Sequence, residues 1–428
     1  MTGLDYMTAR EAAAFLGVGR ATLYAYVSRG LIRSEPFGSG RQKRYLRSDL
    51  DALVRRRQEQ PATAGGTAGS DGLLLPSAIT LIADGRLCYR GHDAVALSEG
   101  LDLEETARLL WQAQDWDPFA ELSERSGMKL PVASELPPLA RLMASLPLAE
   151  AADPQAVNHS RRGCARTGAR LLLHARDVML PAAAGSTERL HAALAAGWGL
   201  APAGADLVRR CLVLCADHEF NASAFAARCV AGTGASVYAA VTAALAALRG
   251  PRHGGATARV AAMLGELRLP DGGDRLYGGQ VGGEQEGGDQ EGSVQEGRRK
   301  DRDAAIAEAV SARLARGDDM PGFGHPLYSD RDPRAAALLR ALAQHAPADP
   351  ARRDLDLVVT ATRRLSDRHP NVDFALVAVA RVLGLPAEAP VIMFALGRIA
   401  GWVAHIEEQY RDGRLVRPRS VYTGPPPN

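Results

Sequence analysis

Residues 203–220 read AGADLVRRCLVLCADHEF. Apolar residues recur in this stretch at intervals of three and four, the spacing that gathers them on one face of an α-helix. The run then breaks at Ala-Asp-His-Glu, which places His218 where one helix ends and another begins. The same rhythm returns in DLEETARLLW, PLARLMASL, ERLHAALAAGWGL, SVYAAVTAALAALRG and DRDAAIAEAVSARLARG, and most of these runs stop at Gly or Pro. From Leu73 onward the chain therefore reads as all-α.

The totals agree. The chain has 428 residues, 46% hydrophobic and 23% charged, with only 5% aromatic. That is an ordinary globular composition, long enough for about three domains. Its apolar fraction leans on Ala, Leu and Val, which favours close-packed helices over a sandwich or barrel. The five cysteines form no C-x-x-C pair. Cys211 and Cys215, four apart on an apolar run, read as small buried residues, and a reducing, cytoplasmic compartment fits. No apolar h-region follows the N-terminus, and no uninterrupted apolar run approaches the roughly 20 residues of a membrane helix.

Net charge is +2, unevenly spread: residues 1–58 hold eleven Lys plus Arg against five Asp plus Glu, giving +6 and leaving −4 to the rest. This basic head reads as two short helices and a turn, MTAREAAAFLGVGRATLYAYVSRGLI, followed by a hairpin or wing around Gly38-Ser39-Gly40. Thr8 and Glu11 make a capping box, and Gly17, Gly19 and Gly30 punctuate the helices. The pattern, over roughly residues 6–57, resembles winged helix–turn–helix domains of the MerR and excisionase type. Arg20, Arg41, Lys43 and Arg44 stand where such a fold meets DNA phosphates and a groove; the other reading is a protein-docking module. Residues 59–72, EQPATAGGTAGSDG, read as a flexible linker. Residues 271–303, rich in Gly, Gln and Glu, read as a disordered surface insertion.

Within the helical body, four stretches break the rhythm and hold an ionisable group among turn residues. ADHEFNAS holds His218, and GPRHGGA holds His253. GFGHPLYSDRDPRA holds His325 and Arg334, the latter in the first turn of a helix capped by Asp332-Pro333. NVDF places Asp373 in the first turn of another helix. Further on, ALGRIAGWVAHIEEQ puts Arg398 inside an apolar helix, and RPRSVYTG carries Arg417 and Arg419. There is no H-E-x-x-H, no clustered Cys/His, no Walker A loop and no G-x-S-x-G, so metal chemistry, a phosphate cradle and a nucleophilic serine are not indicated.

In that order, these segments resemble the citrate synthase family. YRGHDAVALSEG and LDLEETARLLW add a resemblance to its N-terminal signature, so the likeness spans roughly residues 73–424. It implies large and small helical domains, the small one over roughly 254–370. It also implies the condensation of acetyl-CoA with oxaloacetate and hydrolysis of the thioester to citrate and CoA, or the same reaction of propionyl-CoA giving 2-methylcitrate. By resemblance Asp373 is the base, His253 stabilises the enolate and His325 polarises the ketone. Arg334, Arg398 and His218 bind the carboxylates, and Arg417 reaches the site of a neighbouring subunit in a homodimer. No metal or cofactor is implied; CoA enters as a substrate carrier. Pro326 and Arg252 depart from the family's usual Arg and Leu, near where CoA would bind. A rival reading keeps the basic head as a DNA-binding regulator and the body as a sensor of metabolites. A sensor, however, needs the arginines but not Asp373.

Overall fold

The computed structural model describes residues 6–16, 23, 27, 32–37, 43–51, 75–122, 135–267, 290–418 and 423–424. The chain divides into two units, Met1–Ser70 and Asp71–Asn428. In the first, β1 (Tyr6–Thr8) leads into α1 (Ala9–Leu16), followed by β2 (Ser34–Pro36) and β3 (Lys43–Leu46). Thr8 and Glu11 close the expected capping box: the Thr8 N–H donates to Glu11 Oε2 at 2.9 Å, and the Glu11 N–H to Thr8 Oγ1 at 3.4 Å. Ala12, Leu16, Leu23, Ile32, Tyr45 and Leu50 form this unit's core.

The wing is more than a hairpin. β1 pairs antiparallel with β3, giving a three-stranded sheet in the order β1-β3-β2. Arg44 is opposite Glu35 in register, pairs with it at 3.0 Å and lies 4.2 Å from the Tyr6 ring centroid. It is therefore engaged within the sheet, whereas Lys43 is exposed. Arg20, Arg41, the Gly38–Gly40 turn and the 59–72 linker lie outside the described residues.

The second unit opens with strands that the helical reading missed: β4 (Thr80–Ala83), β5 (Arg86–Tyr89) and β6 (His92–Asp93), an antiparallel sheet. Its two tight turns are Asp84-Gly85, at φ 51 and 70, and Arg90-Gly91, at φ 48 and 87. Positive φ at both central residues is the type I′ pattern, whose twist suits paired strands. Helices follow: α2 (Ala94–Gly100), α3 (Leu103–Leu110), α4 (Pro138–Ala151), α5 (Arg161–Met179), α6 (Leu190–Gly197), α7 (Pro202–Leu214), α8 (Ala222–Ala231) and α9 (Val237–Leu248). After these come α10 (Ala256–Glu266), α11 (Gln290–Ala315), α12 (Pro333–His345), α13 (Pro350–Ser366), α14 (Val372–Val382) and α15 (Ala389–Asp412). Short polar side chains start many of them, including Asp93, Ser160, Asn221, Ser236, Asp332, Asp349 and Asn371.

α15 is the hub of the core and packs against α3, α5, α7, α8, α9 and α14. It is long and apolar enough to cross a bilayer, yet 94% of its apolar window is buried inside the body. α11 packs on α13, while α10, α12 and α13 pack on α14. The expectation of disorder over 271–303 is corrected for its last part: α11 begins at Gln290, and its Asp303 and Arg302 are tied to α13 by Arg353 and Asp354. Ala and Val residues from position 304 let the helix propagate back into the polar stretch. Residues 271–289 lie outside the described residues. Cys211 and Cys215 are free and buried in the core, as their spacing predicts.

Candidate active site

The turn after α7 is seated directly on α15. Gly397 and Gly401 lie on the contact face. A β-carbon at 397 would come within 2.6 Å of Leu212 O, and one at 401 would overlap Asp217 Oδ1 and Ala216 O. Through this gap the Gly401 N–H donates to Ala216 O at 2.9 Å, and Arg398 Nε donates to Cys215 O at 2.9 Å. Thr80 on β4 donates its hydroxyl to Asp217 Oδ2 at 2.6 Å. Tyr89 on β5 places its hydroxyl 3.2 Å from the carbonyls of Val213, Leu214 and Asp217. The sheet and α15 thus clamp the turn that carries His218.

A second seam joins the His325 loop to the entry of α14. Gly324 N–H donates to His369 O at 2.7 Å, Asn371 N–H to Gly322 O at 2.8 Å, and Asn371 Nδ2 to Gly324 O at 3.0 Å. Gly322 sits at φ 84, and a β-carbon there would come within 2.8 Å of Val260 and 2.9 Å of Phe374, so only glycine fits the turn. Asp332 caps α12, holds Arg334 through Nε at 2.9 Å and Nη2 at 2.7 Å, and accepts the Val372 N–H at 3.0 Å. One buried carboxylate therefore fixes an arginine and draws together the first turns of α12 and α14.

His253 follows α9 in a Gly/Pro turn. Its Nε2 lies 2.7 Å from Ser223 Oγ, which also receives the Trp402 indole N–H at 3.1 Å. Asn221 Oδ1 accepts the backbone N–H groups of Ser223 and Ala224 and, at 2.6 Å, the Ser223 hydroxyl.

These segments line one cavity of about 460 Å³ that includes His218, His253, His325, Arg334, Asp373 and Arg398. Six of the seven residues singled out from the sequence thus meet. The seventh, Arg417, is exposed near the end of the described C-terminal segment and outside this lining; Arg419 lies outside the described residues. Arg252 and Pro326, the two departures, also line the cavity, with Arg368. Among the described residues, no group of three His, Cys, Asp or Glu side chains could hold a metal ion.

The electrostatics are those of a largely buried site with fixed cations. Burial pushes the Asp373 carboxyl up to about 7, against the pull of Arg334, and its Oδ1 has no hydrogen-bond partner. Burial, reinforced by Arg398, lowers His253 to about 4; burial with Arg334 does the same to His325. His218 is held well below its ordinary value by burial and by both arginines. Burial opposes the charge on Arg334, but Asp332 overrides it and holds the guanidinium above its usual range. Arg398 is lowered by burial, and its Nη2 is buried without a partner. Perturbation of this kind concentrates where chemistry is done. The sequence reading missed Ser223, Asp217 and Tyr328. All three sit within the quoted motifs, but their contacts come from distant segments.

Residues 71–419 match the family described as "Citrate synthase, C-terminal domain", and residues 6–58 match "Helix-turn-helix domain". "Citrate synthase 2" of Bacillus subtilis is 28% identical over 398 residues, 84% of this chain and 96% of that protein. "Putative citrate synthase 2" of Mycobacterium tuberculosis is 37% identical over 221 residues, 50% of either chain. Among solved structures, a ternary complex of carboxymethyl coenzyme A and oxaloacetate with citrate synthase from Thermoplasma acidophilum superposes with a TM-score of 0.66. It is 23% identical and covers 84% of this chain and 96% of that one, a likeness of fold.

Proposed function

The chain belongs to the citrate synthase family, and from that premise we propose that it condenses an acyl-CoA, acetyl-CoA or propionyl-CoA, with oxaloacetate and hydrolyses the thioester. The products are free CoA and citrate or 2-methylcitrate. The observation that carries this reading is the convergence of His253, His325 and Asp373, from three separate segments, on one cavity with two buried arginines.

Oxaloacetate brings two carboxylates, and Arg334 and Arg398 answer them with planar donors. Asp332 occupies Nε and Nη2 of Arg334, which fixes the direction of the rest of the guanidinium. His218 completes the pocket. The Leu327 N–H donates to His325 Nδ1 at 3.2 Å, so the neutral ring carries its proton on Nε2. That N–H polarises the ketone and later protonates the alkoxide.

The acyl-CoA carbon beside the thioester is a weak acid. Asp373 removes its proton, and a carboxyl held near 7 is a far better base than an ordinary one. His253 donates to the developing enolate oxygen. Its Nε2 is held 2.7 Å from Ser223 Oγ. The Ser223 hydroxyl donates to Asn221 Oδ1 at 2.6 Å and accepts the Trp402 indole N–H at 3.1 Å, so it is itself fixed and positions the His253 ring. A positioned base contributes about 10²–10⁴-fold, and an oxyanion donor about 10²–10³-fold. The enolate carbon then attacks the ketone, forming the new C–C bond, and water cleaves the thioester to release CoA. Arg252 and Arg368 supply cationic groups on the cavity wall for the CoA phosphates.

Two copies of the chain form the working unit, with Arg417 of one serving the other. The head, with net +6 over residues 1–58 and Lys43 exposed, binds DNA, and its match to a helix–turn–helix family supports this. The condensation is tested by following free thiol with oxaloacetate and either acyl-CoA. Oxaloacetate-dependent release supports the reading, and its absence with both thioesters refutes it. DNA binding is tested by gel retardation across a salt series, where retention should weaken as salt rises through counterion release.

A further inference from the structure

Tyr328 touches three of the groups assigned to the oxaloacetate pocket. Its hydroxyl lies 3.0 Å from His218 Nε2. Its ring sits 4.8 Å from the His325 ring and 5.8 Å beneath the Arg334 guanidinium. The residue is only 5% exposed, so these contacts are made away from water. Nothing in the chemistry outlined above uses it.

One proton must lie between Tyr328 Oη and His218 Nε2, and its owner decides what the imidazole offers. A phenol is a much stronger acid than a neutral imidazole N–H, and an imidazole nitrogen is a much stronger base than a phenol oxygen. An O–H···N bond is therefore the favoured arrangement. Burial keeps both groups neutral, because it depresses His218 and raises Tyr328. With Nε2 accepting, the proton of His218 itself must reside on Nδ1. That leaves an N–H, not a lone pair, as the ring's remaining polar atom on a side chain lining the cavity. A dianionic substrate needs a donor there; a lone pair would repel it.

We propose that Tyr328 is a positioning residue that donates its hydroxyl proton to His218 Nε2 and so holds His218 as an Nδ1–H donor toward a substrate carboxylate. The substrate part of this rests on the reading of the site as an oxaloacetate pocket; the proton assignment does not. Tyr328 acts through His218, while its ring packs the space between His325 and Arg334.

Two measurements on the full chain separate these parts. Nitrogen-15 spectra of protein labelled at histidine, with the His218 signal identified by its loss in His218→Gln, report which ring nitrogen is protonated. The expected result is protonated Nδ1 and bare Nε2 in the native chain, with that preference lost in Tyr328→Phe. A protonated Nε2 in the native chain, or an unchanged spectrum in Tyr328→Phe, overturns the assignment. Kinetics of Tyr328→Phe, His218→Ala and the double variant read the consequence. Losing a buried hydrogen bond should raise the oxaloacetate KM about tenfold in Tyr328→Phe, with the acyl-CoA KM within about twofold of native. The double variant should be no worse than His218→Ala alone; effects that multiply would show that Tyr328 acts independently and overturn the proposal. A native chain that turns over no oxaloacetate sinks the substrate reading, and the nitrogen spectra still decide the tautomer.

Discussion

Replacing Asp373 by Asn should inactivate the protein and stabilise it in the same stroke. Burial raises this carboxyl from 3.8 to about 7, so the folded state holds its proton where the unfolded state has lost it. A group with a raised folded pKa helps folding at low pH and costs stability as pH climbs from the unfolded value through the folded one. About three pKa units correspond to about 4 kcal/mol above pH 7, falling to about 2 kcal/mol at pH 5. An amide of the same shape carries no such charge. Asp373→Asn should therefore resist urea better than the native chain at pH 8, by an amount of order 2–4 kcal/mol, and the gap should shrink toward pH 5. Turnover should fall at least 10²-fold, because the base is gone. Unfolding of the body can be followed by far-ultraviolet circular dichroism at both pH values. If Asp373→Asn is no more stable than the native chain at pH 8, or keeps over about a tenth of native turnover, the buried-base argument is wrong.

Other consequences follow from the same geometry. The acid limb of kcat/KM should rise with pH through about 7 as Asp373 loses its proton, with His253 and His325 neutral throughout; an activity maximum below pH 6 in a buffer series would contradict it. Gly401→Ala forces a β-carbon into Asp217 and Ala216. It should cost about 1–3 kcal/mol in denaturant titration and raise the oxaloacetate KM more than the acyl-CoA KM. Ser223→Ala should lower kcat about tenfold or more with oxaloacetate binding retained, since it removes the hydroxyl that holds the His253 ring at Nε2; an unchanged kcat would remove Ser223 from the mechanism. Arg417→Ala mixed with Arg398→Ala should regain activity where subunits exchange, and zero recovery with exchange confirmed by mass spectrometry would show that Arg417 does not serve a partner.

Much of this architecture is written locally. Helical spacing, the Thr8–Glu11 box and the Asp332-Pro333 cap depend on residues within one or two turns, and the structure contains all three. The strands β4 to β6 were legible in principle: Ala-Asp-Gly-Arg carries the Asp-Gly pair of a type I′ hairpin, but strands of two to four residues give almost no alternation to read. Only the first part of α11 escaped, because it has no apolar face, and its helicity is continuous with the Ala- and Val-containing half that packs on α13. The site's histidines, Arg334 and Asp373 stood out because the stretches that hold them break a helical rhythm, and Arg398 stood out as a charge inside an apolar helix. Ser223, Tyr328 and Asp217 did not, since what distinguishes them is a partner 30 to more than 100 residues away. Arg44 shows the reverse case: its charge suggests a phosphate contact, while the sheet register gives it to Glu35.

The central claim is that this cavity makes a carbon–carbon bond. The direct measurement is mass spectrometry of the products formed from methyl-labelled [2-¹³C]acetyl-CoA, or labelled propionyl-CoA, and unlabelled oxaloacetate. The account predicts one labelled tricarboxylate, citrate or 2-methylcitrate, for each CoA released, and none from Asp373→Asn. CoA released with the label left in free acetate or propionate would make the protein a thioesterase and contradict the account.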